Sequence, residues 1–158
     1  MVEIIAGFGI ENLNLGMSVE QIVNIWGKPE EIASYDDETI YHIWYQKGLC
    51  CCFTKEDQID GIFFYTGLPG GFLENEFFPY KGFVATIQNG LTMESKENEI
   101  RAILGEPSAE GVIDFAEIPY IWLSYNGLSF DIVMESKKIY CIFSQHPINI
   151  WPNRFSSL

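Results

Sequence analysis

Leu15-Gly16-Met17-Ser18-Val19-Glu20-Gln21-Ile22-Val23-Asn24-Ile25-Trp26-Gly27-Lys28-Pro29 is the stretch from which the rest of the chain is read. Ser18 has the chemistry of a helix N-cap, and Val19, Ile22, Val23 and Trp26 then fall on one helical stripe. Gly27 permits a left-handed exit, and Pro29 forbids further helix. A counterpart starts at Leu91-Thr92-Met93 and ends at Gly105-Glu106-Pro107, with Ile100, Ile103 and Leu104 as its stripe. Glu94 and Glu97 give this second helix an acidic first turn, which suits the helix dipole.

The correspondence continues outward. Trp44 and Trp122 each lie 17 residues beyond the helix-ending glycine, inside Ile43-Trp44-Tyr45 and Ile121-Trp122-Leu123. Gly48-Leu49 and Gly127-Leu128 follow, and Ile59-Asp60-Gly61-Ile62-Phe63 matches Ile139-Tyr140-Cys141-Ile142-Phe143. Between these landmarks the pattern has period two: Ile40, His42 and Trp44 point one way, Tyr41, Ile43 and Tyr45 the other. Turn signals at Lys47-Gly48, Asn126-Gly127 and Lys55-Glu56-Asp57-Gln58 cut the segments into short strands. The expectation is an α+β fold made of two tandem copies of a helix followed by an antiparallel meander of about four strands. One copy of about 60 residues is marginal alone, so the two are expected to share a sheet or core. The predicted boundaries are a first module at 1–65, a connector at 66–88 and a second module at 89–158.

This order of landmarks resembles the modules of beta-lactamase inhibitor protein and of BamE-type (SmpA/OmlA) outer-membrane lipoproteins. Leu15-Gly16-Met17, Gly27-Lys28-Pro29 and Gly105-Glu106-Pro107 carry the resemblance, which covers residues 15–65 and 91–144. It implies a concave sheet that grips another protein.

Composition narrows the function. The chain carries 22 Asp and Glu against 9 Lys and Arg, a formal charge of -13, which repels a nucleic-acid backbone and attracts a basic protein. The N-terminal Met1-Val2-Glu3-Ile4-Ile5 lacks the basic region of a signal peptide, and no run approaches the roughly 20 apolar residues of a membrane helix. A cytoplasmic protein is expected, binding neither membrane nor nucleic acid, as a monomer or weak homodimer. Cys50, Cys51 and Cys52 are adjacent on a predicted strand whose side chains alternate between faces, so they do not converge on one metal. With Cys141 they read as buried reduced thiols. No cofactor or metal is expected.

Catalysis needs a base beside an orienting partner, and the only histidines are His42 and His146. No phosphate loop, nucleophile elbow or metal-ligand spacing is present, and the chain is expected not to be an enzyme. Residues 66–83 join flexible glycine to aromatics: Phe72, Phe77, Phe78 and Tyr80 stand beside Glu74 and Glu76. These aromatics either anchor a partner or glue the two halves together. With Asp36, Asp37 and Glu38 in the turn before His42, they form the predicted partner-binding set. In character the chain resembles immunity proteins that neutralise bacterial toxin domains, which implies a basic toxin or nuclease domain as partner. The alternatives are an assembly module that receives another chain at a sheet edge, or a small hydrolase centred on His42.

Overall fold

The computed structural model describes residues 2–34, 38–53, 57–69 and 80–146. Three two-residue strands open the chain, β1 (Glu3–Ile4), β2 (Gly9–Ile10) and β3 (Leu13–Asn14), and lead into helix α1 (Val19–Trp26). Ser18 caps α1 in a reciprocal box: its hydroxyl accepts from the Gln21 amide at 3.2 Å, and the Gln21 side chain accepts from the Ser18 amide at 2.9 Å. Gly27, at φ 84°, ends the helix by donating its N–H to the Val23 carbonyl. Beyond it come β4 (Glu31–Ala33), β5 (Ile40–Trp44), β6 (Leu49–Phe53) and β7 (Ile59–Tyr65).

The second half starts with β8 (Thr86–Ile87) and β9 (Leu91–Thr92), followed by α2 (Glu97–Leu104). Gly105 closes α2 in the way Gly27 closes α1, at φ 79° with its N–H on the Arg101 carbonyl. The remaining strands are β10 (Ala109–Ile113), β11 (Tyr120–Tyr125), β12 (Leu128–Val133) and β13 (Ile139–Gln145).

Eight strands form one antiparallel sheet in the order β10-β11-β12-β13-β7-β6-β5-β4, with small sheets β1-β8-β9 and β2-β3 beside it. The expectation of an α+β chain built from two tandem helix-plus-meander modules is therefore corrected. Among the described residues the protein is mostly β, and its two α-helices are only 8 residues each. No boundary divides the large sheet, because β7 pairs with β13 from Gly61↔Gln145 to Tyr65↔Cys141. The small strands also cross between halves: β1 runs parallel to β8, with Glu3 opposite Thr86. Short helices cannot bury a core by themselves, so the paired apolar strands dominate.

Alternation within each strand sorts the side chains onto two faces. Trp44, Leu49, Cys51, Phe64, Phe130 and Ile142 pack on the helix side with Ile22 of α1 and Ile100 of α2, in a core drawn from the whole chain. Tyr41, Ile43, Tyr45, Cys50, Cys52, Phe63 and Phe143 pack on the opposite side.

Candidate functional site

The sheet face turned away from the helices concentrates polar and aromatic chemistry. Strand register lays it out in rows. Cys50, Phe63, Phe143, Ser129 and Ser124 are successive partners across β6, β7, β13, β12 and β11. The neighbouring row runs Tyr65, Cys141, Asp131, Trp122 and Gly111. A bulge at Asp131/Ile132 turns both Tyr140 and Cys141 to this side. Two glycines lie under aromatic rings: a Cβ on Gly61 would meet the Phe143 ring at 2.5 Å, and one on Gly111 would meet the Trp122 ring at 2.7 Å.

At one end of this face, tyrosines stack. Tyr80 lies on Tyr65 with ring centroids 3.5 Å apart and planes 11° from parallel. Tyr45 lies 4.9 Å from Tyr80, Tyr140 meets Tyr65 edge-on at 5.5 Å, and the Tyr45 hydroxyl donates to the Glu31 carboxylate. Backbone hydrogen bonds from Lys81 to the Tyr45 carbonyl and from Phe83 to the Tyr65 carbonyl fix the chain as it crosses the sheet end. Phe83 then reaches the helix side, 5.1 Å from Phe64 and 6.5 Å from Trp26. Residues 80–83 thus clamp both faces. Glycine is required where the strap crosses: a Cβ on Gly48 would stand 2.3 Å from the Lys81 carbonyl oxygen, and Gly48 is at φ 68°.

These groups hold their protons. Burial pushes the Tyr65 and Tyr80 hydroxyls well above the usual phenol range. On the helix side the buried Cys51 thiol is pushed up for the same reason, so it is not a thiolate nucleophile at neutral pH. All four cysteines are buried and none forms a disulfide. Among the described residues, no group of three or more His, Cys, Asp and Glu is placed to hold a metal ion.

Of the residues predicted to bind a partner, Tyr80 is only 4% exposed and belongs to the internal tyrosine stack. Glu38 is exposed in the turn before β5. Asp36, Asp37, Phe72, Glu74, Glu76, Phe77 and Phe78 lie outside the described residues. His42 is on the helix side, 4.7 Å from the Phe53 ring and 6.3 Å from Trp44, and its Nδ1 has no hydrogen-bond partner among the described residues. Burial lowers its pKa, against a smaller opposing pull from Asp57. It is therefore biased toward neutral imidazole in an aromatic setting.

The surface of the second half has its own electrostatics. Arg101 of α2 reaches Glu110 of β10 in a two-pronged contact, Nη2 to Oε1 at 2.9 Å and Nη1 to Oε2 at 3.1 Å. It also reaches Glu106 at 2.9 Å and Glu97 at 3.4 Å. The hydrogen bonds from Arg101 hold the Glu110 carboxyl below its usual range. From Ala102 to Ser136 the sequence contains no Lys or Arg, while Glu106, Glu110, Asp114 and Glu117 are all exposed. One cation thus serves three carboxylates, and the β10 end of the sheet remains negative.

The family model described as Domain of unknown function (DUF7738) matches residues 8–101. The chain belongs to this family. The DUF7738 match ends inside α2, so β10–β13 and the acidic surface lie beyond it. No curated protein matches the chain. Among solved structures, a DUF4309 family protein from Bacillus subtilis is similar at 10% identity and a TM-score of 0.52, over 89% of this chain and 88% of that one. That likeness concerns the fold alone. An extracellular protein containing an SCP domain from Bacillus anthracis matches at 8% identity and TM-score 0.49, over 84% of this chain and 44% of that one. A cysteine-rich secretory protein from Staphylococcus aureus matches at 10% identity and TM-score 0.47, over 84% and 43%. The chain spans less than half the length of those two proteins.

Sequence reasoning missed the β10 surface of this DUF7738 chain because it weighed charge over the whole molecule. A scan for the longest stretch without Lys or Arg would have found it. The Arg101 cluster had a local signal too, the Glu97/Arg101 pair at i,i+4 spacing.

Proposed function

We propose that this chain is a protein-binding inhibitor of the immunity type, acting in the cytoplasm on a basic toxin or nuclease domain whose active site it occludes. The observation that carries the reading is the set of exposed carboxylates Glu106, Glu110, Asp114 and Glu117 in a stretch, residues 102–136, without Lys or Arg, whose flanking Arg101 is already held by three carboxylates. Such a field accelerates encounter with a basic domain and disfavours acidic partners and nucleic acid. Four buried thiols outside any disulfide support a reducing compartment. No helix of the described residues is long and apolar enough to cross a membrane.

The test is co-expression with the product of the adjacent gene, followed by affinity capture across a salt series. A basic partner that co-purifies at low salt, is released as salt rises and is toxic when expressed without this chain is the expected outcome. Failure to capture that product, or undiminished toxicity in the presence of this chain, would overturn the reading.

A further inference from the structure

We infer that the outer edge of β10 receives an extended basic segment of the partner as an added antiparallel or parallel strand. The inference rests on the proposal that the partner is basic, and it names the surface used. Within the large sheet, β10 and β4 are the terminal strands, and among the described residues no strand pairs with the outer side of β10. The outward backbone groups of such an edge are a ready template for pairing. β4 is the poorer template, with 3 residues against 5 in β10 and Pro29 just before it.

Side chains along β10 specify the occupant. Glu110 and Val112 share the helix-side face, and Asp114 follows directly in the chain, so the edge reads acidic, apolar, acidic at alternate positions. Val112 is 55% exposed. On the other face Gly111 contributes no side chain, and the Trp122 ring lies across it. An incoming strand therefore lies flat against this edge, meeting the indole on one side and Val112 on the other. The matching segment has Lys or Arg at two positions four apart and an aliphatic residue midway, since cross-strand pairs set preference along an edge. A second copy of this chain is the wrong occupant: pairing two β10 edges would bring Glu110 and Asp114 against their equivalents on molecules of formal charge -13.

The test uses fluorescence anisotropy with two synthetic peptides of identical composition and about ten residues, one placing Lys, Val and Lys at successive alternate positions with Thr between them, the other with that order scrambled. The wild-type chain is expected to bind the alternating peptide about tenfold or more tighter than the scrambled one. Val112→Lys/Asp114→Lys should abolish that preference, whereas Glu20→Lys/Asn24→Lys on α1, the same change in charge, should keep it. Circular dichroism confirms that both variants fold. Equal binding of the two peptides by wild type, an unchanged preference in the β10 variant, or a homodimer dissolved by that variant would each overturn the inference. Capturing the adjacent gene's product with wild type and with the β10 variant separates the two levels. Undiminished capture by the variant removes the edge and leaves the inhibitor reading standing, whereas capture by neither removes that reading while the peptide preference still decides the edge.

Discussion

Replacing Gly61 by alanine probes the seam where β7 meets β13, on which the single sheet depends. The new Cβ would stand 2.5 Å from Cε2 and Cζ of Phe143. Carbon atoms at rest need about 3.5–4.0 Å, so the ring has to retreat by roughly 1 Å. Little room exists for that, because Phe143 is only 8% exposed and stacks on Phe63 with ring centroids 4.2 Å apart. Overpacking of this kind costs about 1–3 kcal/mol, and the lower chain entropy of alanine returns about 0.4–1 kcal/mol. The expected net loss is about 0–2.6 kcal/mol, centred near 1.3 kcal/mol, against a typical stability of roughly 5–15 kcal/mol. Urea unfolding should show it as a lower midpoint with an unchanged slope. Phe143→Leu removes the clashing ring atoms, so Gly61→Ala in that background should cost little, leaving a coupling of about 1–2 kcal/mol. If the glycine substitution costs the same in both backgrounds, the ring does not lie over Gly61 and the seam has been misread.

Tyr80→Ala empties the stack on Tyr65 and should cost about 3–5 kcal/mol with loss of near-ultraviolet dichroism; Tyr80→Phe, which keeps the ring, should cost about 1 kcal/mol. Arg101→Gln leaves Glu97, Glu106 and Glu110 without their shared cation, and a loss of about 1 kcal/mol in low salt should shrink as salt is added. His42 gives a pH signature. Its folded pKa lies below 6.5, so as pH falls the unfolded chain takes the proton first. Its contribution is present above about pH 6.5 and is lost as pH drops through the folded value; His42→Phe should therefore lose less stability than wild type between about pH 7 and pH 5. Ser18→Ala removes a reciprocal cap and should lower stability by about 1 kcal/mol in a thermal melt.

Much of the local structure was legible in the residues. Ser18 could be read as a cap, Gly27 and Gly105 as stops, and Ile40 to Tyr45 as two alternating faces, since each depends on neighbours a few positions away. The partner-binding set was less legible. Tyr80 reads equally well as anchor or as glue until its stack on Tyr65 is seen, because an aromatic in a loop satisfies either role. The acidic run after Arg101 is visible in the sequence, but its meaning depends on β10 being the last strand of the sheet.

By itself the sequence determined where α1 begins and where both helices end, which side chains share a strand face, and the sign of the surface charge. Each of these follows from short-range sterics or from simple addition. Helix α2, by contrast, starts only at Glu97, so that Glu94 precedes its first turn. Only the tertiary structure decided that β7 and β13 join the strands into one sheet, that residues 80–83 clamp its end, and that β10 carries the acidic edge. Residues 61–65 and 141–145 stand far apart in the chain, and nothing local to either specifies the other. That pairing is fixed by the apolar surface both strands bury together, a property of the whole fold.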